Sequence, residues 1–142
     1  MRYLVVGNQT LAGDALRSAV LERARAGPAS FHVVVPATPP KDHLMWSEGE
    51  ASVVARQRLD GALGWMHGAD VTATGEVGDA SPALAVADAL LHDEFDEILV
   101  STLPAGPSKW IRQDLPRRIA RRTGIPVTHV VAEAREPERS VP

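Results

Sequence analysis

Cysteine is absent from this 142-residue chain, which excludes disulfides, thiolate metal sites and thiol nucleophiles. Aromatic residues make up only 4%, so the core has to be aliphatic, built from Val, Leu, Ile and Ala. No apolar run approaches the roughly 18 residues of a membrane span. An excess of positive charge is missing too: the formal net charge is -3 and the pI is near 5.9. Neither nucleic acid nor an anionic membrane is therefore an expected partner. The chain opens on YLVVG, with neither a charged leader nor an apolar signal region, so a cytoplasmic protein is expected.

Catalytic signatures are lacking as well. There is no G-x-S-x-G elbow, no G-x4-G-K-[ST] loop, no H-x-G-H or S-G-G-x-D-S pattern, and no close carboxylate pair in the loops where a site is expected. The connection GNQTLAG after the first strand is too poor in glycine for a dinucleotide fingerprint. His32, His43, His67, His92 and His129 show no metal-ligand spacing, so no metal site is assigned. His32 and His129 fall in strands and are expected to be packed. No catalytic residue is assigned, and a protein without enzymatic activity is the expectation.

What is present is a regular alternation. Apolar runs at 3–6, 31–36, 97–102 and 127–132, with the β-branched segment 70–78, predict five strands. Between them lie helical patterns: Leu11, Ala12, Ala15, Leu16, Ala19 and Val20; then Ala55, Leu59, Ala62, Leu63 and Met66; then Leu84, Ala87, Leu90 and Leu91 after the start signal Asp79-Ala80-Ser81-Pro82; and finally 116–123. The polar stretch KDHLMWSEGE is read as a loop. Strands that are apolar without a break, alternating with helices, imply a parallel sheet covered on both faces. The fold class is α/β, a Rossmann-like doubly wound five-stranded parallel sheet of order 3-2-1-4-5. One domain spans 1–132, and the polar, proline-containing residues 133–142 are expected to form a flexible tail. Ligands of such sheets bind beyond the carboxyl ends of the strands where the order reverses, here between the first and fourth strands.

The segment Gly78-Asp79-Ala80-Ser81-Pro82-Ala83-Leu84 opening the third helix, the ending Arg121-Arg122-Thr123-Gly124-Ile125-Pro126-Val127 and the five alternating units resemble the universal stress protein family from Tyr3 to Ala132. The resemblance implies a homodimer that pairs through the strand 127–132. It also implies a nucleotide position after the fourth strand, where ATP-binding members carry a glycine, two residues, a second glycine, nine residues, then glycine with Ser or Thr. Those positions here hold Ser101, Pro104, Asp114 and Leu115. Pro104 lacks an N–H, Leu115 lacks a hydroxyl, and Asp114 sets a carboxylate where a phosphate would lie. Two like charges 4 Å apart repel by about 4 kcal/mol at an effective dielectric near 20. An acidic residue usual after the first strand aligns with Gly7.

The candidate ligand-binding residues are therefore Gly7, Asn8, Gln9 and Thr10 on one side of the crevice. Ser101, Thr102, Gly106, Ser108, Lys109, Arg112 and Asp114 form the other. Hydroxyls, backbone N–H groups and an ammonium suit a small anion; the bland alternatives are helix capping by Asn8 to Thr10 and a rigid Pro-Gly connection after the fourth strand. Trp46 and Trp110 would line a pocket or a dimer contact, whereas Trp65 is expected in the core. Arg117, Arg118, Arg121 and Arg122 are expected to be a solvated face around Leu115 and Ile119. The sequence thus predicts a universal-stress-protein-like binding or regulatory module with a degenerate nucleotide site, no cofactor, and no ATP binding in the family manner. The alternative is a protein that binds a nucleotide, ATP or AMP, or another phosphate ligand through an altered loop after the fourth strand.

Overall fold

A computed structural model describes residues 1–38, 48–104 and 114–132. Its elements are β1 (Arg2–Val6), α1 (Asp14–Ala26), β2 (Ser30–Pro36), α2 (Glu48–Gly68), β3 (Thr72–Gly78), α3 (Pro82–Leu90), β4 (Glu97–Thr102), α4 (Leu115–Thr123) and β5 (Val127–Val131). All five strands are parallel in the order β3-β2-β1-β4-β5. The expected topology is the observed one.

Alternation along the strands feeds two separate cores. Tyr3, Val5, Phe31, Val33, Val35 and Leu99 point to the face covered by α1 and α2, where Leu16, Val20, Leu59 and Met66 meet them. Leu4, Val6, Val34, Ile98 and Val100 point to the other face, against Val86, Ala89, Leu115 and Ile119 of α3 and α4. Because both faces are covered there, Tyr3–Val6 of β1 and Val33–Val35 of β2 can be apolar without a break. Helix α2 lies close to the sheet: a Cβ at Gly75 of β3 would stand 2.4 Å from Leu59 Cδ1 and 2.8 Å from the Val33 carbonyl. No larger residue fits there without displacing the Leu59 side chain and the β2 backbone at Val33.

Several boundaries and faces differ from the sequence expectation. Glu48, Gly49 and Glu50, expected in a loop, form the first turn of α2; acidic residues are favourable at a helix N-terminus, and Ala51 buried one residue later anchors the turn. Strand β3 begins at Thr72 rather than at residue 70 because Asp70 adopts φ 62°, a left-handed turn that redirects the chain. In α3 the start signal holds, but the cap is Ser81, whose Oγ accepts from Leu84 N at 3.4 Å, while Asp79 Oδ1 accepts from Ser81 N at 2.8 Å. Its buried face is Ala85, Val86 and Ala89. Leu84 and Leu91, expected to be buried, are exposed, as is Ala87. Leu90 does pack against the second core beside that stripe, whereas Leu84 within the helix and Leu91 just after it face outward.

Trp65 packs at the edge of the first core, its Nε1 donating to the Leu11 carbonyl at 2.9 Å and its ring lying 5.0 Å beneath the Arg17 guanidinium. At the amino ends of the strands, Arg23 of α1 makes a two-pronged pair with Glu97, Nε to Oε1 and Nη2 to Oε2, both 2.9 Å. Thr128 of β5 adds its hydroxyl to Glu97 Oε2. The hydrogen bonds from Arg23 hold the Glu97 carboxyl below the usual carboxylate range despite its partial burial. Helix α4 buries Leu115 and Ile119 and leaves Arg117, Arg121 and Arg122 to solvent as the sequence pattern implied, while Arg118, expected on the same solvated face, is half-buried. Among the described residues no helix is long and apolar enough to cross a membrane.

Candidate functional site

The crevice expected between the first and fourth strands is built from the segment after β1 and the end of β4. Thr10 and Ser101 meet there: their Oγ1 and Oγ atoms lie 2.5 Å apart although the residues are 91 positions apart in sequence. Both are deeply buried, Thr10 at 6% and Ser101 at 2% exposure. Each hydroxyl therefore finds its partner inside the protein, as buried polar groups require. Gly7 sits beside them, and a Cβ on it would stand 2.8 Å from Leu11 Cδ2 and 3.3 Å from Ser101 Cβ. Space for a side chain at this position is taken by Leu11 and Ser101.

Asn8 turns away from β4 toward β2. Its Nδ2 donates to the carbonyl of Pro36, the last residue of β2, at 2.8 Å. Its Oδ1 accepts a hydrogen bond from Nη1 of Arg58 in α2. The long Arg58 side chain reaches this end of the sheet because α2 starts at the carboxyl ends of the strands and helical side chains lean toward the helix N-terminus. Burial pushes the Arg58 guanidinium below its ordinary value. Gln9, between Asn8 and Thr10, is exposed. Neither Asn8 nor Thr10 caps α1, whose N-cap is Gly13 with no side-chain hydrogen bond; the capping alternative gives way to these tertiary contacts.

On the far side of the crevice, Thr102 Oγ1 lies 2.9 Å from the Leu103 carbonyl and 2.7 Å from His129 Nε2 of β5. A hydroxyl has one proton, so when it goes to Leu103 the imidazole Nε2–H is the donor to Thr102. Partial desolvation holds the His129 ring below the usual histidine value, which favours the neutral form. The residue itself is exposed on the edge strand, not packed as expected. His32, also expected to be packed, is half-buried, and its Nδ1 and Nε2 lie 2.8 Å from Thr74 Oγ1 and Glu76 Oε2.

Asp114 stands immediately before α4 at φ 56°, its side chain making no capping bond and its Oδ2 lying 3.7 Å from Arg117 Nε. Gly106, Ser108, Lys109 and Arg112 lie outside the described residues, as do Trp46, Trp110 and His43. Of the expected site residues, the structure brings Gly7, Thr10 and Ser101 together and joins Thr102 to His129. It carries Asn8 to the β2 side instead. Arg58 was missed by motif reading. Its helical spacing held the signal, three residues after buried Ala55 and four before buried Ala62, so its stem had to lie along the covered face.

A doubly wound parallel sheet of this order, with its crevice between β1 and β4, defines the class as Rossmann-like α/β. Within it the fold is that of universal stress proteins. A universal stress protein from Archaeoglobus fulgidus superposes with a TM-score of 0.64 at 16% identity, over 92% of this chain and 93% of its own. A universal stress protein family member from Arabidopsis thaliana with AMP bound gives 0.63 at 10% identity, over 94% and 93%. One from Burkholderia pseudomallei gives 0.61 at 18% identity, over 91% and 94%. No family model and no curated protein matches the sequence.

Proposed function

We propose that the chain is a universal-stress-protein-like binding or regulatory module that does not take ATP in the manner of that family. The observation that carries this reading is the buried Thr10–Ser101 hydroxyl pair, which occupies both groups across the β1–β4 crevice. Two further features support it. At Gly7 the neighbouring Leu11 and Ser101 fill the room an acidic side chain would need, and Asp114 puts a carboxylate ahead of α4, where a triphosphate would meet repulsion. The module acts as a cytoplasmic homodimer. Strand β5 supports that assembly: it is bonded to β4 on one side and lies at the edge of the sheet, with Val131 exposed, and soluble proteins normally cover such an edge. Sedimentation at micromolar concentration is expected to give a dimer, and monomer alone would reject it.

The nucleotide reading is tested by thermal unfolding with millimolar ATP, AMP or inorganic phosphate at matched ionic strength. A ligand at 100 times its dissociation constant stabilises by about 2.7 kcal/mol. ATP is expected to stabilise no more than phosphate does, and a distinctly larger shift with ATP would overturn the proposal. A second reading, nucleotide or phosphate binding through the altered loop with Ser101, Thr102 and Lys109, is favoured by the AMP bound to the Arabidopsis neighbour. It requires that Lys109→Ala abolish the stabilisation.

A further inference from the structure

We infer that Arg58, aimed by Asn8, is the cation of a site for a small oxyanion at the carboxyl ends of β1 and β2, on the opposite side of β1 from the β4 loop. The site deepens the reading of the chain as a small-ligand-binding module and rests on it. A guanidinium carries five N–H donors in a planar fork that matches phosphate or carboxylate oxygens in pairs. Here one of them goes to Asn8 Oδ1, a neutral acceptor that fixes direction without neutralising charge. The amide cannot be turned over without loss, because its Nδ2 is committed to the Pro36 carbonyl at 2.8 Å. Among the described residues no carboxylate forms an ion pair with Arg58, although Arg2, Arg23, Arg56 and Arg117 each have one.

A partly buried cation with no counter-charge among the described residues is unfavourable on stability grounds alone. Its desolvation shows in the lowered guanidinium pKa. A ligand oxyanion supplies the missing charge, and the carboxyl ends of the strands are where ligands approach this class of sheet. Gln9, next in sequence to Asn8, is exposed and carries an unfixed amide at the same end of the sheet. The chemistry shared by the ligands is one or two oxygens of a compact anion, free or borne on a small molecule.

The test is calorimetric titration of the full chain with inorganic phosphate and, separately, with succinate, at matched ionic strength because exposed charges are screened by salt. At least one of the two is expected to bind, and Arg58→Gln is expected to weaken it at least about tenfold, equivalent to about 1.4 kcal/mol. Asn8→Ala, which leaves the charge but removes its guide, is expected to weaken it severalfold and keeps the test valid if Arg58→Gln folds poorly. Preferential binding of phosphate or of succinate identifies the oxyanion. Binding unchanged in both variants, or no binding of either anion to the wild type, overturns the inference. Loss of phosphate binding in Lys109→Ala but not in the Arg58 or Asn8 variants also overturns it and places the anion at the β4 loop. The comparison of ATP with phosphate judges the wider proposal independently.

Discussion

Arg23 and Arg58 are the same residue type at opposite ends of one sheet, and their settings differ in one decisive respect. Arg23, at the amino ends of β4 and β5, meets a carboxylate with two parallel hydrogen bonds and a third partner, the Ala19 carbonyl at 3.0 Å. Its guanidinium is raised above its ordinary value, first by the hydrogen bonds to Glu97. Arg58, at the carboxyl ends of β1 and β2, meets a carboxamide, and burial lowers it. A satisfied cation is a clamp between elements. Arg58 is oriented by an amide and, among the described residues, pairs with no carboxylate, which is the difference the proposed anion site rests on.

The comparison is broken most strongly at the clamp. Arg23→Met leaves Glu97 partly buried without its partner and is expected to cost about 2 kcal/mol in urea unfolding at pH 7. The pH dependence has a definite sign. Glu97 has a lowered folded-state pKa, so its contribution is fully present above the ordinary carboxylate value of about 4.3 and is lost as pH falls through the lowered one. The gap between wild type and Glu97→Gln should therefore be widest near neutrality and close in acid; a gap that widens below pH 4 would contradict the pairing. Next in size is the hydroxyl pair at the crevice. A double-mutant cycle of Thr10→Ala and Ser101→Ala is expected to give a coupling of about 1 kcal/mol, since either single change strands a buried hydroxyl. Additive losses would mean that the two groups do not depend on each other. The smallest effect belongs to Arg58→Gln, expected to alter stability by less than about 0.5 kcal/mol in the absence of anions. A loss as large as that of Arg23→Met would make Arg58 a second clamp.

How far the sequence reveals these regions follows from the range of the interactions. The unbroken apolar strands such as VVV at 33–35 and the helical spacing from Ala55 to Met66 are local patterns, so order, layers and the crevice position were legible. Leu84 and Leu91 were not, because which residues of a short helix are covered is decided by its packing on β2, β3 and α4, which are distant in sequence. Asn8 was expected as a candidate site residue from its position after the first strand, but the direction of its side chain was not legible. Nothing near it in sequence indicates that Pro36 and Arg58, 28 and 50 residues away, compete with α1 for its amide.

By itself, then, the sequence determined an aliphatic, cysteine-free α/β sheet of order 3-2-1-4-5 and hence which strands flank the crevice. Those properties rest on composition and periodicity, which every local segment carries. Tertiary structure alone decided that Thr10 closes against Ser101, that Leu11 fills the room beside Gly7, and that Arg58 arrives at the strand ends held by an amide. Such contacts exist only once distant segments are packed at fixed distances, where a polar group either meets a partner or is left to find one from outside.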